Sequence, residues 1–207
     1  MFKKLCESKK IVENIYCIKA GIANMYLYKY NKKYIAIDCG AKKDIVINEL
    51  AKLNINAKDI THVFLTHSDY DHVAALSLFD QALIYMGHEE EQMINKTTPR
   101  FSSFRFNKKL ECESYTLLLD QEELTIENVV IKAVATPGHT PGSMSYLFNN
   151  LYLFVGDALA IKKGEVTTFT KLFVMDMDTH INSIKKINNI RRAKVVFTAH
   201  YGYLIKW

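Results

Sequence analysis

Six consecutive residues, His67-Ser68-Asp69-Tyr70-Asp71-His72, set two imidazoles and two carboxylates one residue behind the apolar run Val63-Phe64-Leu65. These are the side chains that hold divalent metals, and a strand running into a helix is a place where several of them can be gathered at one point. His67 and Asp69 lie two residues apart, so extended or turning backbone aims them the same way. Asp71 and His72 stand at the mouth of a helix whose first residues are Val73, Ala74, Ala75 and Leu76, and the free amides at a helix start favour a nearby carboxylate. The arrangement recurs along the chain. His139 sits in Thr136-Pro137-Gly138-His139-Thr140-Pro141-Gly142-Ser143, where two prolines stiffen a loop that two glycines let turn. Asp157 and His200 follow the short apolar strands 151–155 and 195–198, and Asp38 closes the strand 33–38.

These pieces, in order from Ile37-Asp38-Cys39-Gly40 to His200-Tyr201-Gly202, make the chain resemble the metallo-β-lactamase superfamily over nearly its whole length. The resemblance implies an α/β fold, a four-layer αββα sandwich with two sheets face to face and helices outside, in a single domain over 1–207. It implies one metal on His67, Asp69 and His139, a second on Asp71, His72 and His200, and Asp157 bridging the two. Asp38 resembles the family's strand-end aspartate, which orients the metal-binding side chains without touching metal. Asp71 and Asp157 are then the catalytic carboxylates: they fix and neutralise two divalent cations, and once coordinated neither is an independent general base.

The family's commoner pattern has histidine where this chain has Asp69. A charged oxygen in place of an imidazole nitrogen adds hardness and negative charge, which moves the preference from zinc toward iron or manganese. Two cations sharing a carboxylate lower the pKa of a bridging water from about 15.7 toward neutrality and polarise a carbonyl or phosphoryl oxygen. The resemblance therefore implies hydrolysis by a metal-bridging hydroxide. The stretch around His139 and the compact length are most like glyoxalase II-type thioester hydrolases, so the expected substrate is a small ester, thioester or lactone. The helical glutathione-binding domain of full-length glyoxalase II is not expected, because only seven residues follow His200. Two other classes fit the same ligands: an iron-dependent redox enzyme, persulfide dioxygenase-like or flavodiiron-like, and a metal-dependent ligand-binding or regulatory module. Flavodiiron members carry a glutamate at the position of Asp69, but they need an attached flavin-carrying domain.

A chain of 207 residues with 49% hydrophobic content can build one well-buried core, and no Pro/Gly/Ser-rich linker divides it. The basic residues 1–10 precede no apolar signal region and no stretch is long enough to span a bilayer, so a cytoplasmic protein with no membrane partner is expected. Cys6, Cys17, Cys39 and Cys112 show no metal or redox spacing, which suits a reducing compartment. The net charge of +5, from 27 basic against 22 acidic residues, favours a small anionic substrate; lysines on solvated faces account for the rest, and no nucleic acid is expected. His62, His88 and His180 are read as ordinary core or surface histidines.

Strands are expected at 11–20, 24–30 and 33–38, with turns at Gly21 and Asn31, then an amphipathic helix presenting Val46, Leu50 and Leu53. A strand at 82–86, a helix from near His88, further strands within 115–155 and a helix over 179–190 complete the alternation. Segment 97–112 places Phe101, Phe104 and Phe106 among Arg100, Arg105, Lys108 and Lys109. It reads either as a lid whose aromatics cover a substrate and whose bases attract its acid group, or as a loop pinned to the core by its phenylalanines. Phe104 and Arg105 are the substrate contacts of the first reading; Phe169 and Phe173, after Asp157, are the alternative recognition surface.

Overall fold

The computed structural model describes residues 5–100, 110–190, 193–205 and 207. Seven strands form one sheet in strict chain order: β1 (Lys9–Val12), β2 (Ile15–Lys19), β3 (Asn24–Tyr30), β4 (Lys33–Ile37), β5 (Ile60–Phe64), β6 (Leu83–Gly87) and β7 (Thr116–Leu118). The first four pair antiparallel as hairpins; β4 to β7 pair parallel, as crossover connections demand. A second sheet holds β8 (Glu123–Ile126), β9 (Val129–Ala135), β10 (Met144–Phe148) and β11 (Tyr152–Phe154). After the separate hairpin β12 (Leu159–Lys162) and β13 (Glu165–Thr168), the strands β14 (Val195–Thr198) and β15 (Gly202–Ile205) complete it in the order β15-β14-β11-β10-β9-β8. The helices are α1 (Lys43–Lys52), α2 (Tyr70–Val73), α3 (Glu91–Ile94) and α4 (Met177–Asn188). No described helix is long and apolar enough to cross a membrane.

Side-chain alternation assigns the layers. In β3 and β5 the odd residues Leu27 and Val63 pack outward with Val46 and Leu50 of α1, while Tyr26, Tyr28 and Phe64 point inward. Facing them across the sheet interface are Tyr146, Phe148, Phe154 and Phe197. On the far side, Leu147, Leu153 and Val196 pack against Ile187 of α4. Helix, sheet, sheet and helix make the αββα sandwich. Its middle layer is aromatic, with Phe154 and Phe197 stacked at 4.6 Å and Phe64 edge-on to Tyr146 at 5.1 Å. Burying each such ring contributes about 1.5–3 kcal/mol.

Three local expectations are corrected. The strand at 11–20 breaks at Glu13 and Asn14 into the hairpin β1–β2, with Val12 opposite Ile15. The helix after the first metal-type residues does not start at Val73: Asp71 and His72 lie inside the one-turn α2, and the chain tightens into a 3-10 turn at Leu76–Phe79. The cause is a competing partner, because the His72 carbonyl accepts from Cys39 N at 2.7 Å. The expected helix near His88 is a 3-10 turn, His88–Glu90, before the single turn α3.

Candidate metal centre

The strands deliver their polar residues to one edge of the sandwich. Parallel strands β4, β5 and β6 end there, followed by Asp38, His67 and Glu90. In the second sheet β9 and β11 flank the reversed β10, and β14 is parallel to β11, so His139, Asp157 and His200 leave from the same edge. Ligand sites gather at the C-terminal ends of strands for this reason.

Among the described residues three sets of potential ligand atoms lie within 4.8 Å of one another: His67, Asp69 and His139; His67, His72 and Asp157; and Asp71, His72 and His200. His139 Nε2 is 3.1 Å from both His67 Nε2 and Asp69 Oδ2. His200 Nε2 lies 3.4 Å from Asp71 Oδ2 and 3.2 Å from Asp157 Oδ2. Asp157 reaches both groups, with Oδ2 3.5 Å from His139 Nε2 and Oδ1 3.8 Å from His72 Nε2. All seven residues named in the sequence thus meet in one cluster, each residue at most 8% exposed.

Two features fit this donor set to a cation. His72 Nε2, Asp69 Oδ1 and Asp157 Oδ1 are buried with no hydrogen-bond partner, an arrangement that costs about 1–3 kcal/mol per atom unless something else binds it. The charges are also unbalanced. Burial opposes ionisation of Asp157, but the imidazoles of His200, His139 and His72 hold it well below the usual carboxylate range. Burial likewise disfavours a charged His72, yet Asp38, with Asp71 and Asp157 nearby, pushes it up to about 10. The carboxylates that raise the basicity of His72 this far attract a metal for the same reason, and metal binding there releases protons, whereas burial and the neighbouring His67 push His139 down to about 4.

Surrounding residues fix the cluster. Asp38, at φ +59 in the left-handed region, accepts from Thr66 N at 2.7 Å and from His72 Nδ1 at 2.7 Å. That bond leaves His72 Nε2 free and aimed inward. His200 Nδ1 donates to the Ile22 carbonyl at 2.8 Å, which aims its Nε2 the same way. Glu90, fully buried, accepts from Ser68 N at 2.7 Å, Ser68 Oγ at 2.6 Å and Thr140 Oγ1 at 2.6 Å. It ties the residue after His67 to the residue after His139. Gly142 makes that approach possible: a Cβ there would sit 1.9 Å from Glu90 N. Gly138, at φ +131, lies flush against the His180 backbone in the same way.

Sequence reasoning missed two participants. Glu90 is one of three consecutive glutamates, and only the 3-10 turn selects it for burial. Arg100, read only as one base of segment 97–112, is buried and donates from Nη2 to Asp69 Oδ2 at 2.6 Å. Its Nη2 also lies 3.1 Å from His139 Nε2 and 3.2 Å from the Phe173 carbonyl, and Nη1 bonds the His139 carbonyl. Phe104 and Arg105 lie outside the described residues. Phe169 is buried edge-on to His139 at 5.3 Å, with Phe173 beyond it at 6.4 Å, so it forms a wall of the cluster. Of the histidines given no role, His62 stacks on Tyr85 at 6.2 Å and His88 is exposed, whereas His180 is fully buried with neither ring nitrogen hydrogen-bonded.

Known proteins are similar to this chain in sequence and fold. A probable metallo-hydrolase of Methanocaldococcus jannaschii is 30% identical over 208 residues, all of this chain and 89% of the relative. The hydroxyacylglutathione hydrolase of Haemophilus ducreyi is 25% identical over 164 residues, covering 77% of this chain and 58% of the relative. The fold superposes on the crystal structure of BJP-1, a subclass B3 metallo-β-lactamase of Bradyrhizobium japonicum, with a TM-score of 0.74 at 17% identity, over 96% of this chain and 79% of that one. The family model described as Metallo-beta-lactamase superfamily matches residues 18–200, a span that holds every residue of the cluster, and the chain belongs to that superfamily.

Proposed function

We propose that the protein is a metal-dependent hydrolase of a small ester, thioester or lactone, working as one domain over 1–207 with His67, Asp69 and His139 at one metal position and Asp71, His72 and His200 at the other. The observation that carries this reading is Asp157, whose two carboxylate oxygens face imidazoles of both sets. Divalent ions held there supply Lewis acidity and make water a usable nucleophile near neutral pH.

The chain's own residues do the rest. Asp71 and Asp157 would neutralise bound cations, and both lie within 3.4 Å of His200 Nε2. Asp38 holds His72 in the tautomer that presents Nε2, and Ile22 does so for His200. Phe169 covers His139 and His200, at 5.3 and 5.7 Å between rings, and excludes water from that side. Support for acyl transfer to water comes from the hydroxyacylglutathione hydrolase among the relatives. The mixed nitrogen and oxygen donors suit zinc, and Asp69 is the one that favours iron or manganese.

Elemental analysis of protein purified without added metal, followed by a panel of thioesters, lactones, carboxylic esters and phosphodiesters, tests the reading. Chelator-sensitive hydrolysis of an acyl substrate is expected. Oxygen uptake with bound iron, or tight metabolite binding without turnover, refutes it.

A further inference from the structure

We infer that the Arg100 guanidinium takes up the metal-directed lone pairs of Asp69 and His139, so that the two metal positions fill unequally, with the Asp71, His72 and His200 position filling first. The inference rests on the metallohydrolase reading and deepens it. A guanidinium only donates hydrogen bonds. The hydrogen that Nη2 directs at Asp69 Oδ2, 2.6 Å away, meets the oxygen that faces His139 Nε2 and His67 Nε2 at 3.1 and 3.6 Å. The same Nη2 lies 3.1 Å from His139 Nε2, whose single lone pair can serve either this donor or a metal.

Arg100 is built into this place. Its side chain is 3% exposed, and the carbonyls of His139 and Phe173 hold the fork. Arginine keeps its charge at any physiological pH, so the competition is permanent. Charge points the same way. Asp69 and Arg100 cancel, so the first set has no formal charge of its own, whereas Asp71 leaves the second set one negative charge and Asp157 is shared by both. Each set keeps a buried atom without a hydrogen-bond partner, Asp69 Oδ1 in the first and His72 Nε2 in the second, so the difference between the sets lies in the two atoms that Arg100 engages, Asp69 Oδ2 and His139 Nε2. Arg100, a base expected to attract a substrate's acid group, thus meets the carboxylate of Asp69 inside the protein.

Cobalt(II) or zinc titration of chelator-stripped protein, followed by calorimetry and the cobalt absorption bands, tests this without reference to turnover. Wild-type protein should bind one tight equivalent and a second at least about tenfold weaker. Arg100→Met should tighten the weaker equivalent at least about tenfold and leave the tight one nearly unchanged. Arg100→Lys retains charge but loses the fork, so it should fall between the two, and it serves if the methionine variant does not fold. Two equal equivalents in the wild type, or a weaker equivalent that neither substitution tightens, overturn the role of Arg100 and leave the metallohydrolase reading standing. No metal bound by any of the three proteins overturns both.

Discussion

Glu90 offers a direct test of how the cluster is held. Its carboxylate receives three hydrogen bonds in a fully buried position, two from Ser68 and one from Thr140. Glu90→Ala strands one backbone amide and two hydroxyls, at about 1–3 kcal/mol for each donor left unsatisfied. Two effects offset part of that sum. Removing the carboxylate relieves its own desolvation, which pushes its pKa up, and Thr140 Oγ1 can turn to Ser143 Oγ, 2.8 Å away. A net loss of about 3 kcal/mol is expected, which lowers Tm by about 6–12 °C in a domain of this size. Glu90→Gln separates charge from geometry. Its amide oxygen can accept both Ser68 bonds while its NH2 donates to Thr140 Oγ1, so it should lose less than about 1 kcal/mol. Thermal unfolding followed by circular dichroism reads both variants. Because Ser68 follows His67 and Thr140 follows His139, metal titration of Glu90→Ala should also show weakening confined to that set. The reasoning fails if Glu90→Ala unfolds within about 1 °C of the wild type, or if the glutamine variant is as damaged as the alanine one.

Three further outcomes are expected. His72→Ala or His200→Ala should remove the tight metal equivalent and most hydrolysis while circular dichroism stays native, and full activity with full metal content in either variant refutes the assignment. Asp69→His should shift metal preference toward zinc but strand a buried guanidinium, at about 3–5 kcal/mol, and Arg100→Met in the same chain should recover much of that loss in a thermal melt. Gly142→Ala forces a Cβ to within 1.9 Å of Glu90 N, so it should displace the His139 loop and weaken metal binding at His67, Asp69 and His139; unchanged affinity by titration contradicts the packing described.

The sequence carried part of the cluster because several of its members mark an abrupt change. Apolar strand residues give way to an imidazole or carboxylate at Asp38, His67, Asp157 and His200, and that change is visible without knowing which strands pair. The four layers followed from the same alternation. What stayed hidden depended on partners distant in the chain. Nothing local distinguishes Glu90 from the exposed Glu89, since its burial arises where Gly142 of a later loop lies against it. Arg100 read as a surface base because its carboxylate partner, Asp69, stands 31 positions earlier. The shortness of α2 has the same origin: Cys39 N draws the His72 carbonyl out of the helical ladder, and no propensity of Val73 to Leu76 reports that.

The described chain passes from one sheet to the other once, between β7 and β8. Each side of that crossing is contiguous in sequence, yet neither side owns a complete metal position. Asp69 and His67 need His139 from across the divide, and Asp71 and His72 need His200. A bound ion is therefore a further cross-brace between two assemblies otherwise joined by aromatic packing, a single connection and hydrogen bonds such as Met144 N to the Thr66 carbonyl at 2.8 Å and Thr140 Oγ1 to Glu90 at 2.6 Å. The expected consequence is mechanical: small slippage of one sheet over the other spreads the donors before it breaks any strand pair, so affinity for metal should fall earlier in mild denaturant than the far-ultraviolet signal does. Metal retention is then the most sensitive gauge of how firmly the halves are docked, and coincident transitions in the two signals would remove that interpretation.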